Sequence, residues 1–584
     1  MKQLMLGNEA IARGAWEAGV TVSAAYPGTP STEISEFISN YKEIDAEWSV
    51  NEKVAFEIAI GASIAGARAL VAMKHVGLNV AMDPLMSISY PGVTGGLVAI
   101  VADDPGQHSS QNEQDTRWLA IAAKVPVLEP SDSAECKEFV KRAFELSETF
   151  DTPVIIRLTT RVAHSQSLVT LGDRNDIPLK PFDKQHGKYI VAPAYARRRR
   201  VVAEERLGKL KQFTETTDLN SVEMNDTSIG IIASGICYQY AKEVFPDASF
   251  VKLGMVYPLP QKKITEFVKA CKKVYVIEEV ESIFELQIKS WGLSVTGSDL
   301  FPRIGELSSR IIRQKITGTA PELLTLGSDV TIPIRPPVMC PGCHHRGPFY
   351  ILRKLKLRVS GDIGCYTLAA SPPLEAMHTS ICMGASIGMA FGFEKARGKE
   401  FASQSVAVIG DSTFWHSGLT GLVDIVYNKG YTTVIILDNS ITAMTGHQNN
   451  PSTGMRLNGS PAPALDIKKV VEAIGIRRVV EVDAYDLKEL ERVIKEEVSA
   501  PEPSVIITKQ PCLLIKGIDR PGNAFSVDPQ KCTGCRACRV IGCPAISFVN
   551  KKAVIESSLC VGCGICADIC SFGAISENDE GMDA

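Results

Sequence analysis

The sequence predicts a multidomain α/β protein that ends in a small α+β domain rich in cysteine. Through most of its 584 residues, short apolar runs alternate with amphipathic helical patterns, which is typical of parallel sheets covered by helices. Eight of the 16 cysteines lie at or after Cys532, in two runs of similar spacing. At about 150 residues per domain, this length indicates roughly four domains.

The composition is that of an ordinary globular protein. Hydrophobic residues make up 45% of the chain, charged residues 22%, and the formal net charge is -4. This balance excludes a general polyanion-binding surface, and we interpret the run Arg197–Arg200 as a solvated face in a linker. The N-terminus lacks the apolar core of a signal peptide, and no run approaches the roughly 18 apolar residues of a membrane helix. With free thiols, these features favour a cytoplasmic protein that contacts neither nucleic acid nor membrane.

The first predicted domain, residues 1–165, has the alternation of a parallel α/β fold. Gly96–Ala102 is a continuous apolar run that predicts a buried strand. Asn51–Leu70, rich in Ala and Ile, predicts a helix. Residues 166–225 are polar and have no clean strand pattern, so we expect a connector with some helix.

A second α/β domain is predicted for residues 226–332. Ser228–Ala233 and Lys273–Glu278 read as its strands, with helical patterns between them. Its end is marked by Ile332–Pro337, a stretch broken by three prolines, because proline cannot donate to a sheet or continue a helix.

The third domain, residues 338–515, contains a βαβ unit with polar residues at two strand ends. The predicted strands Ser405–Ile409 and Thr432–Leu437 flank a helical stretch. Asp411 and Asn439 follow these strands, at the carboxyl edge where open α/β sheets bind ligands. Their oxygens suit Mg2+ bound to a diphosphate. An aspartate that only caps a helix is the structural alternative.

Two cysteine runs in the last predicted domain, residues 525–584, have the spacing of iron–sulfur ligands. Four thiolates at such spacing hold a [4Fe–4S] cluster, and in two-cluster ferredoxins the fourth cysteine of each run binds the other cluster. We therefore expect one cluster on Cys532, Cys535, Cys538 and Cys570, and a second on Cys560, Cys563, Cys566 and Cys543. Zinc, which usually binds separated cysteine pairs, and disulfides, which need an oxidising compartment, are the alternatives.

The segment around Asp411 resembles the thiamine diphosphate motif, Gly-Asp-Gly followed after a spacer by Asn. Ser412 stands at the motif's last glycine and Ser440 at its second asparagine, so the segment is more similar to the 2-oxoacid:ferredoxin oxidoreductases, which tolerate both changes. This resemblance implies Mg2+ ligation by Asp411, Asn439 and the Ile441 carbonyl. The cofactor-binding residues that it implies are Gly410, Asp411, Ser412, Asn439, Ile441, Thr445 and Gly446.

The N-terminal domain offers the carboxylate that thiamine chemistry needs. Glu52 begins an apolar helix, as does the glutamate that contacts the aminopyrimidine ring in this family. The alternative is that Glu52 only complements the dipole of its helix. Tyr26–Ser31 resembles the family's Tyr-Pro-x-Thr-Pro segment, which implies that the Thr29 hydroxyl faces the substrate. His75 is a weaker candidate and is also compatible with a structural role. The stretch Asp103–Gln111 lacks the arginine with which pyruvate-using relatives bind the substrate carboxylate, so we expect a different arrangement and a substrate other than pyruvate.

Four further cysteines resemble the ligands of a third cluster that larger relatives hold close to thiamine. These are Cys340, Cys343, Cys365 and Cys512. Because cysteine is often a small buried hydrophobe, this third cluster is a weaker expectation than the two in the tail. We interpret Cys136, Cys237, Cys271 and Cys382 as such buried residues.

Domain order, thiamine motif and double cluster together resemble the α subunit of the indolepyruvate (arylpyruvate) ferredoxin oxidoreductase family over essentially the whole chain. The resemblance implies two thiamine-diphosphate-binding-type domains (1–165 and 338–515), a transketolase C-terminal-like domain (226–332) and a two-cluster ferredoxin-like domain. It also implies oxidation of aryl 2-oxoacids with coenzyme A, ferredoxin as electron acceptor, and a smaller β subunit in an α2β2 assembly. Another 2-oxoacid substrate, a non-oxidative decarboxylase and a non-catalytic electron-relay subunit are the alternatives.

Overall fold

A computed structural model describes residues 1–182, 187–322 and 331–578 of the chain. The chain forms two compact units, Met1–Gly327 and Ser328–Ala584. In the described residues, no helix is both long and apolar enough to cross a membrane.

The first unit is built from short strands alternating with helices. Its strands are β1 (Lys2–Leu6), β2 (Val22–Ala25), β3 (Asp45–Trp48), β4 (Ala69–Lys74), β5 (Leu97–Asp103), β6 (Val127–Leu128), β7 (Val154–Thr159), β8 (Gln166–Thr170), β9 (Asn220–Glu223), β10 (Asp226–Ser234), β11 (Ala248–Leu253), β12 (Met255–Tyr257) and β13 (Val274–Ile277). Its helices are α1 (Gly7–Glu17), α2 (Thr32–Ile38), α3 (Glu52–Ile64), α4 (His75–Val80), α5 (Met82–Ile88), α6 (Thr116–Ala123), α7 (Ser133–Phe150), α8 (Thr160–His164), α9 (Pro193–Phe213), α10 (Gly235–Val244), α11 (Gln261–Ala270), α12 (Ile283–Ser290) and α13 (Ser309–Thr317).

The main sheet of this unit has the order β12-β6-β7-β5-β4-β2-β3. All neighbours are parallel except β12, which runs antiparallel to β6. Every residue of β4, β5 and β7 is buried, as expected for parallel strands covered on both faces. The strand predicted at Gly96–Ala102 is confirmed as β5, shifted by one residue.

Helix α3 begins where the sequence predicts and ends earlier. The Asn51 side chain caps it by accepting a hydrogen bond from the Val54 amide at 2.9 Å. The predicted end at Leu70 is wrong, because Gly66 takes a positive φ of 100° and Leu70 lies in β4.

Residues 166–225, expected to be a connector with some helix, contain the helix α9 and also two strands that the sequence pattern does not show. β8 pairs antiparallel with β1, and β9 pairs antiparallel with β11. Both are edge strands with several exposed residues, so their apolar periodicity is weak. The arginine run lies within α9, where Arg199 forms an ion pair with Asp151 at 3.1 Å.

A second sheet has the order β13-β10-β11-β9; β9 comes from the preceding segment, and residues 226–322 supply β10, β11 and β13. β10 and β13 confirm the two strands predicted there. The same segment contributes β12 to the main sheet of the unit.

The second unit contains one parallel sheet and a small cysteine-rich part. Its strands are β14 (Arg358–Ser360), β15 (Ser405–Gly410), β16 (Thr433–Asp438), β17 (Arg478–Asp483), β18 (Ser504–Lys509), β19 (Phe525–Val527), β20 (Ile546–Val549), β21 (Lys552–Ile555) and β22 (Ile575–Glu577). Its α-helices are α14 (Arg346–Lys354), α15 (Ala385–Arg397), α16 (Lys399–Ala402), α17 (Asp411–Thr413), α18 (Leu419–Tyr427), α19 (Ile467–Ile474), α20 (Leu487–Val498) and α21 (Ile565–Ile569).

The parallel sheet has the order β14-β15-β16-β18-β17. The predicted βαβ unit is confirmed as β15 and β16, joined by α17, a π-helical turn at Phe414–Gly418, and α18. The cysteine-rich part holds two antiparallel strand pairs, β19 with β22 and β20 with β21. The α/β class with an α+β tail is therefore confirmed.

Candidate functional site

The aspartate and the asparagine predicted at strand ends, Asp411 and Asn439, lie at one edge of the second unit's sheet. β15 and β16 are parallel neighbours, and Gly410 stands opposite Leu437. Asp411 and Asn439 directly follow these strands, so both side chains emerge at the carboxyl edge.

Asp411 is a buried carboxylate without a cationic partner. It is 3% exposed, and the Asn450 amide donates to its Oδ2 at 3.0 Å. Burial and the charge of Asp438 raise the pKa of Asp411 to about 7. In the described ranges, no lysine, arginine or histidine nitrogen lies within 4.0 Å of its carboxylate. A divalent cation would offset this buried charge, and Asn439, 7% exposed, adds a second hard oxygen.

The loop after Asn439 folds back towards Ser412. The Thr442 hydroxyl donates to the Ser412 hydroxyl at 2.8 Å, and Thr442 exchanges two backbone hydrogen bonds with Gln448. Thr445 Oγ1 donates to Gln448 Oε1 at 2.5 Å, and Gly446 has a φ of 123°, a conformation that favours glycine. Ser412, which stands at a glycine position of the motif, thus helps to hold this loop.

Tyr366 is a site residue that sequence reasoning missed. Its hydroxyl accepts from the Gly410 amide at 3.0 Å and donates to the Ile363 carbonyl at 3.0 Å. A Cβ at position 410 would lie 2.9 Å from the Tyr366 ring, so only glycine fits there. No local sequence signal marks Tyr366, because its partner lies 44 residues away.

The structure brings the four cysteines of the expected third cluster together. Burial, together with the nearby thiols of Cys365 and Cys340, raises the pKa of Cys343 to about 12. Burial likewise raises the pKa of Cys365 to about 11, with Cys512 and Cys340 as the next contributions. The Cys512 amide donates to the Asn439 carbonyl at 3.0 Å, so this group lies beside the metal motif.

Two histidines next to these cysteines were not predicted as site residues. The ligand atoms of Cys343, His344 and His345 lie within 4.8 Å of one another. Both imidazoles are buried, and burial lowers the pKa of His344 to about 3, so the rings are neutral. Within the part of the chain that the structure describes, Nε2 of His344 and Nδ1 of His345 have no hydrogen-bond partner. The two imidazoles therefore add nitrogen ligand atoms beside the Cys343 sulfur.

The tail cysteines gather in the two predicted sets of four. Besides burial, its three predicted partners raise the pKa of Cys538: Cys535, Cys532 and Cys570. The pKa of Cys566 is likewise raised by burial and by its own three partners, Cys563, Cys543 and Cys560. Two cavities follow the same division: one is lined by Cys532, Cys535, Cys538 and Cys570, and the other by Cys543, Cys560, Cys563 and Cys566.

Arg346 connects the second tail set to the Cys340–Cys343 loop. It is 3% exposed; its Nη1 donates to the Ile541 carbonyl at 2.6 Å and its Nε to the Cys340 carbonyl at 3.2 Å. Pro341 and Gly342 also line the cavity of the second set. The second tail set therefore lies next to the Cys340–Cys343 loop.

Glu52 and Thr29 lie in the first unit. Glu52 is 5% exposed, and a Cβ at Gly77 would lie 2.6 Å from its Oε1, so the carboxylate rests on the backbone of α4. Thr29 is partly buried, and its carbonyl accepts from the Ser109 hydroxyl at 3.4 Å. His75 is buried, with Nε2 3.2 Å from the Asn112 carbonyl and Nδ1 without a partner.

Three protein families match parts of the chain. Residues 13–222 match the pyruvate flavodoxin/ferredoxin oxidoreductase thiamine-diphosphate-binding family, and residues 362–508 match the C-terminal TPP-binding domain of thiamine pyrophosphate enzymes. Residues 553–576 match the 4Fe-4S binding domain. The chain therefore has thiamine-diphosphate-binding domains and an iron–sulfur domain, as the sequence predicts.

Curated relatives are similar over nearly the full length. The chain is 40% identical to indolepyruvate oxidoreductase subunit IorA of Archaeoglobus fulgidus, over 98% of this chain and 97% of the relative. It is also 40% identical to IorA of Pyrococcus horikoshii, over 99% and 97% respectively. The 2-oxoglutarate synthase subunit KorA of Methanothermobacter marburgensis is 25% identical over 51% of this chain and 93% of the relative. The chain belongs to the indolepyruvate oxidoreductase subunit IorA family, within the 2-oxoacid:ferredoxin oxidoreductases.

Proposed function

We propose that this chain is the thiamine-diphosphate-dependent subunit of an enzyme that oxidatively decarboxylates aryl 2-oxoacids. In this reaction indolepyruvate or a similar acid and coenzyme A yield acyl-CoA and CO2, and two electrons pass singly to ferredoxin. The observation that supports the proposal is the position of Cys512 beside Asn439, together with the second tail set next to the Cys340–Cys343 loop. The names of the full-length relatives favour an aryl substrate.

The chain's own residues fit the cofactor. Thiamine diphosphate, when bound, supplies the electron sink that accepts the electrons of the bond to CO2. Asp411 and Asn439, with the Ile441 carbonyl, would hold Mg2+ against the diphosphate. The backbone at Gly410, Ser412, Thr445 and Gly446 would line the cofactor.

Glu52 and Thr29 have separate roles in this proposal. Glu52 would hold a proton at N1' of the aminopyrimidine, which makes the 4'-nitrogen a base. Its burial against Gly77 supports this role, because a carboxylate shielded from water interacts more strongly with a protonated ring. The Thr29 hydroxyl would face the substrate.

The cysteines would provide three [4Fe–4S] sites in one row. Cys340, Cys343, Cys365 and Cys512 would form the site nearest the cofactor. The second tail set, which Arg346 connects to the Cys340–Cys343 loop, would come next, and the first tail set would deliver electrons to ferredoxin.

We further propose a smaller β subunit as partner in an α2β2 assembly, and a cytoplasmic location. The full-length relatives are named as subunits, which supports a second chain. The many free thiols are consistent with a reducing compartment.

Anaerobic reduction of the purified complex tests the proposal. Indolepyruvate, phenylpyruvate, pyruvate and 2-oxoglutarate are each added with coenzyme A while bleaching of the iron–sulfur absorbance is followed. We expect the aryl acids to reduce the clusters fastest, and about twelve irons per chain against about eight if only the tail is loaded. A complex that holds both cofactors but is reduced by no 2-oxoacid contradicts the proposal. A complex without bound thiamine diphosphate identifies a relay subunit instead.

A further inference from the structure

Lys74 is the last residue of β4 and lies at the carboxyl edge of the first unit's main sheet. β4 pairs with β2 on one side and β5 on the other, all parallel. The chain that leaves β2 passes through Gly28 to Thr29. A Cβ at Gly28 would lie 3.0 Å from the Lys74 Cβ and 3.9 Å from its Cδ, so the lysine side chain runs along this segment.

The Lys74 ammonium is buried with a single neutral acceptor. The residue is 8% exposed, and Nζ donates to the Ser109 carbonyl at 2.7 Å. Across the described ranges, no carboxylate oxygen comes within 4.0 Å of Nζ. An ammonium has three donors, and a buried charge is costly unless it is paired. Accordingly, burial lowers the pKa of Lys74 to about 8, and the charge of Asp104 opposes this shift only in part.

The nearest acid is already occupied by other donors. Asp104 accepts from the Ser109 amide at 2.8 Å, the Ser110 hydroxyl at 2.6 Å and the Thr160 hydroxyl at 2.7 Å. These bonds fold residues 104–110 back over Lys74. Asp104 therefore shapes the loop and leaves the ammonium without an anion.

The other cations near this edge are paired. Arg157 contacts Asp103 at 2.6 Å, and Arg161 pairs with Glu306. Lys137 is a useful contrast, because it is also 8% exposed but contacts Glu17 at 3.1 Å. Lys74 differs from these residues in lacking an anion.

We propose that Lys74 binds the carboxylate of the 2-oxoacid substrate, in place of the arginine that is absent from residues 103–111. The inference rests on the proposed function, since it assigns the substrate's acid group to a residue beside Thr29. An incoming carboxylate would form an ion pair with the buried ammonium and accept hydrogen bonds from its two remaining N–H groups. The Ser109 carbonyl would hold the lysine in position.

The test uses the complete complex with its partner subunit and compares Lys74→Gln, Lys74→Arg and Lys137→Gln with wild type. Two readouts are measured: KM and kcat for phenylpyruvate, and competitive inhibition by 3-phenylpropionate against its neutral analogue 3-phenylpropanamide. Glutamine keeps a donor for the Ser109 carbonyl but removes the charge. We expect Lys74→Gln to raise KM about 10- to 100-fold with a smaller change in kcat, because a charge-assisted hydrogen bond is lost.

The preference for the carboxylate inhibitor distinguishes recognition from stability. Wild type, Lys74→Arg and Lys137→Gln should prefer 3-phenylpropionate, whereas Lys74→Gln should bind both inhibitors equally. If Lys74→Gln keeps the wild-type KM and the carboxylate preference, Lys74 does not bind the substrate. If Lys74→Gln does not fold, Lys74→Arg provides the test. This variant keeps the positive charge, so if it does not prefer 3-phenylpropionate to 3-phenylpropanamide, the inference is also overturned. A wild-type complex that no 2-oxoacid reduces contradicts the proposed function, not this assignment.

Discussion

The carboxyl edges of the two large parallel sheets both carry buried charges, but these charges differ in whether they are paired. The arginine cluster at the first edge is paired within the chain, whereas Lys74 at the same edge and Asp411 at the second have no counter-ion among the described residues. At the edge of the first unit, Arg157 contacts Asp103 at 2.6 Å and Glu129 at 2.9 Å, and Arg117 contacts Asp115 at 2.6 Å. All five residues are buried, and their charges are mutually paired. At the edge of the second unit, the Asn450 amide is the one side chain among the described residues that donates a hydrogen bond to Asp411.

The difference separates structural charges from binding charges. A buried ion pair satisfied within the chain has little left to offer a ligand, and removing one partner mainly destabilises the fold. A buried charge without a counter-ion is stabilised when a ligand of opposite charge arrives. By this criterion Arg157 is structural, whereas Asp411 is suited to a cation.

The largest expected effect comes from Glu52→Gln in the first unit. The amide cannot hold the proton at the aminopyrimidine, so turnover should fall by about 100- to 10,000-fold, the range for loss of a general acid–base group. Steady-state ferredoxin reduction measures turnover, and the iron–sulfur absorbance should be unchanged. Glu57→Gln, on the exposed side of α3 where Glu57 pairs with Lys53, is the matched control and should be neutral. Retained activity in Glu52→Gln would refute the assigned role.

Arg157→Met tests whether the first edge is held by its ion pairs. The substitution leaves the Asp103 and Glu129 carboxylates buried without their cation, so the free energy of unfolding should fall by about 3–5 kcal/mol. Urea unfolding followed by tryptophan fluorescence reports mainly the first unit, because Trp16, Trp48, Trp118 and Trp291 lie there and only Trp415 lies in the second.

The control for this substitution is Arg161→Met. Arg161 is 52% exposed and pairs with Glu306 at the surface, so its loss should change stability by less than about 1 kcal/mol. Equal effects of the two substitutions would mean that burial of the pair does not determine its contribution.

Asp411→Asn tests the unpaired carboxylate of the second edge. Removing the charge should weaken Mg2+-dependent binding of thiamine diphosphate by about 100-fold. Calorimetric titration of thiamine diphosphate into cofactor-free complex, with Mg2+ present in the buffer, measures this. Asp424→Asn, an exposed aspartate on α18, is the control and should bind normally. If Asp411→Asn binds the cofactor as wild type does, the carboxylate is not a metal ligand.

Sequence reasoning worked best where one local pattern carries the information. β5, β15 and β16 were predicted because continuous apolar runs are buried on both faces of parallel sheets. The grouping of the tail cysteines could be anticipated because their spacing is the ligand pattern itself. The edge strands β8 and β9 were missed because partly exposed strands have weak apolar patterns.

Features that depend on distant contacts could not be predicted. Tyr366 reaches Gly410 across 44 residues, and Asn450 reaches Asp411 across 39. The isolation of Lys74 depends on Asp104 being occupied by three other donors, and no spacing in the sequence encodes that. Paired and unpaired charges look alike in a sequence, so the contrast between the two edges is visible only in the fold.

The smallest expected effect concerns Glu279, which lies near the paired edge. It is 5% exposed; burial raises its pKa to about 7, although the Leu307 amide donates to its Oε1 at 2.7 Å. In the unfolded chain a glutamate loses its proton near pH 4.3, so between that pH and about 7 the folded state binds more protons. The free energy of unfolding should therefore decrease as pH rises through this window, by at most about 4 kcal/mol.

Glu279→Gln should remove this dependence, because the amide does not titrate. Urea unfolding at pH 5 and pH 8 should show a larger loss of stability for wild type than for the variant. Glu281→Gln, an exposed position two residues on where the glutamate pairs with Arg303, should keep the wild-type slope. If wild type, Glu279→Gln and Glu281→Gln all lose the same free energy of unfolding between pH 5 and pH 8, Glu279 is ionised over this whole pH range. The positive charge of Arg157 would then also stabilise the Glu279 carboxylate, in addition to the carboxylates that Arg157 contacts directly.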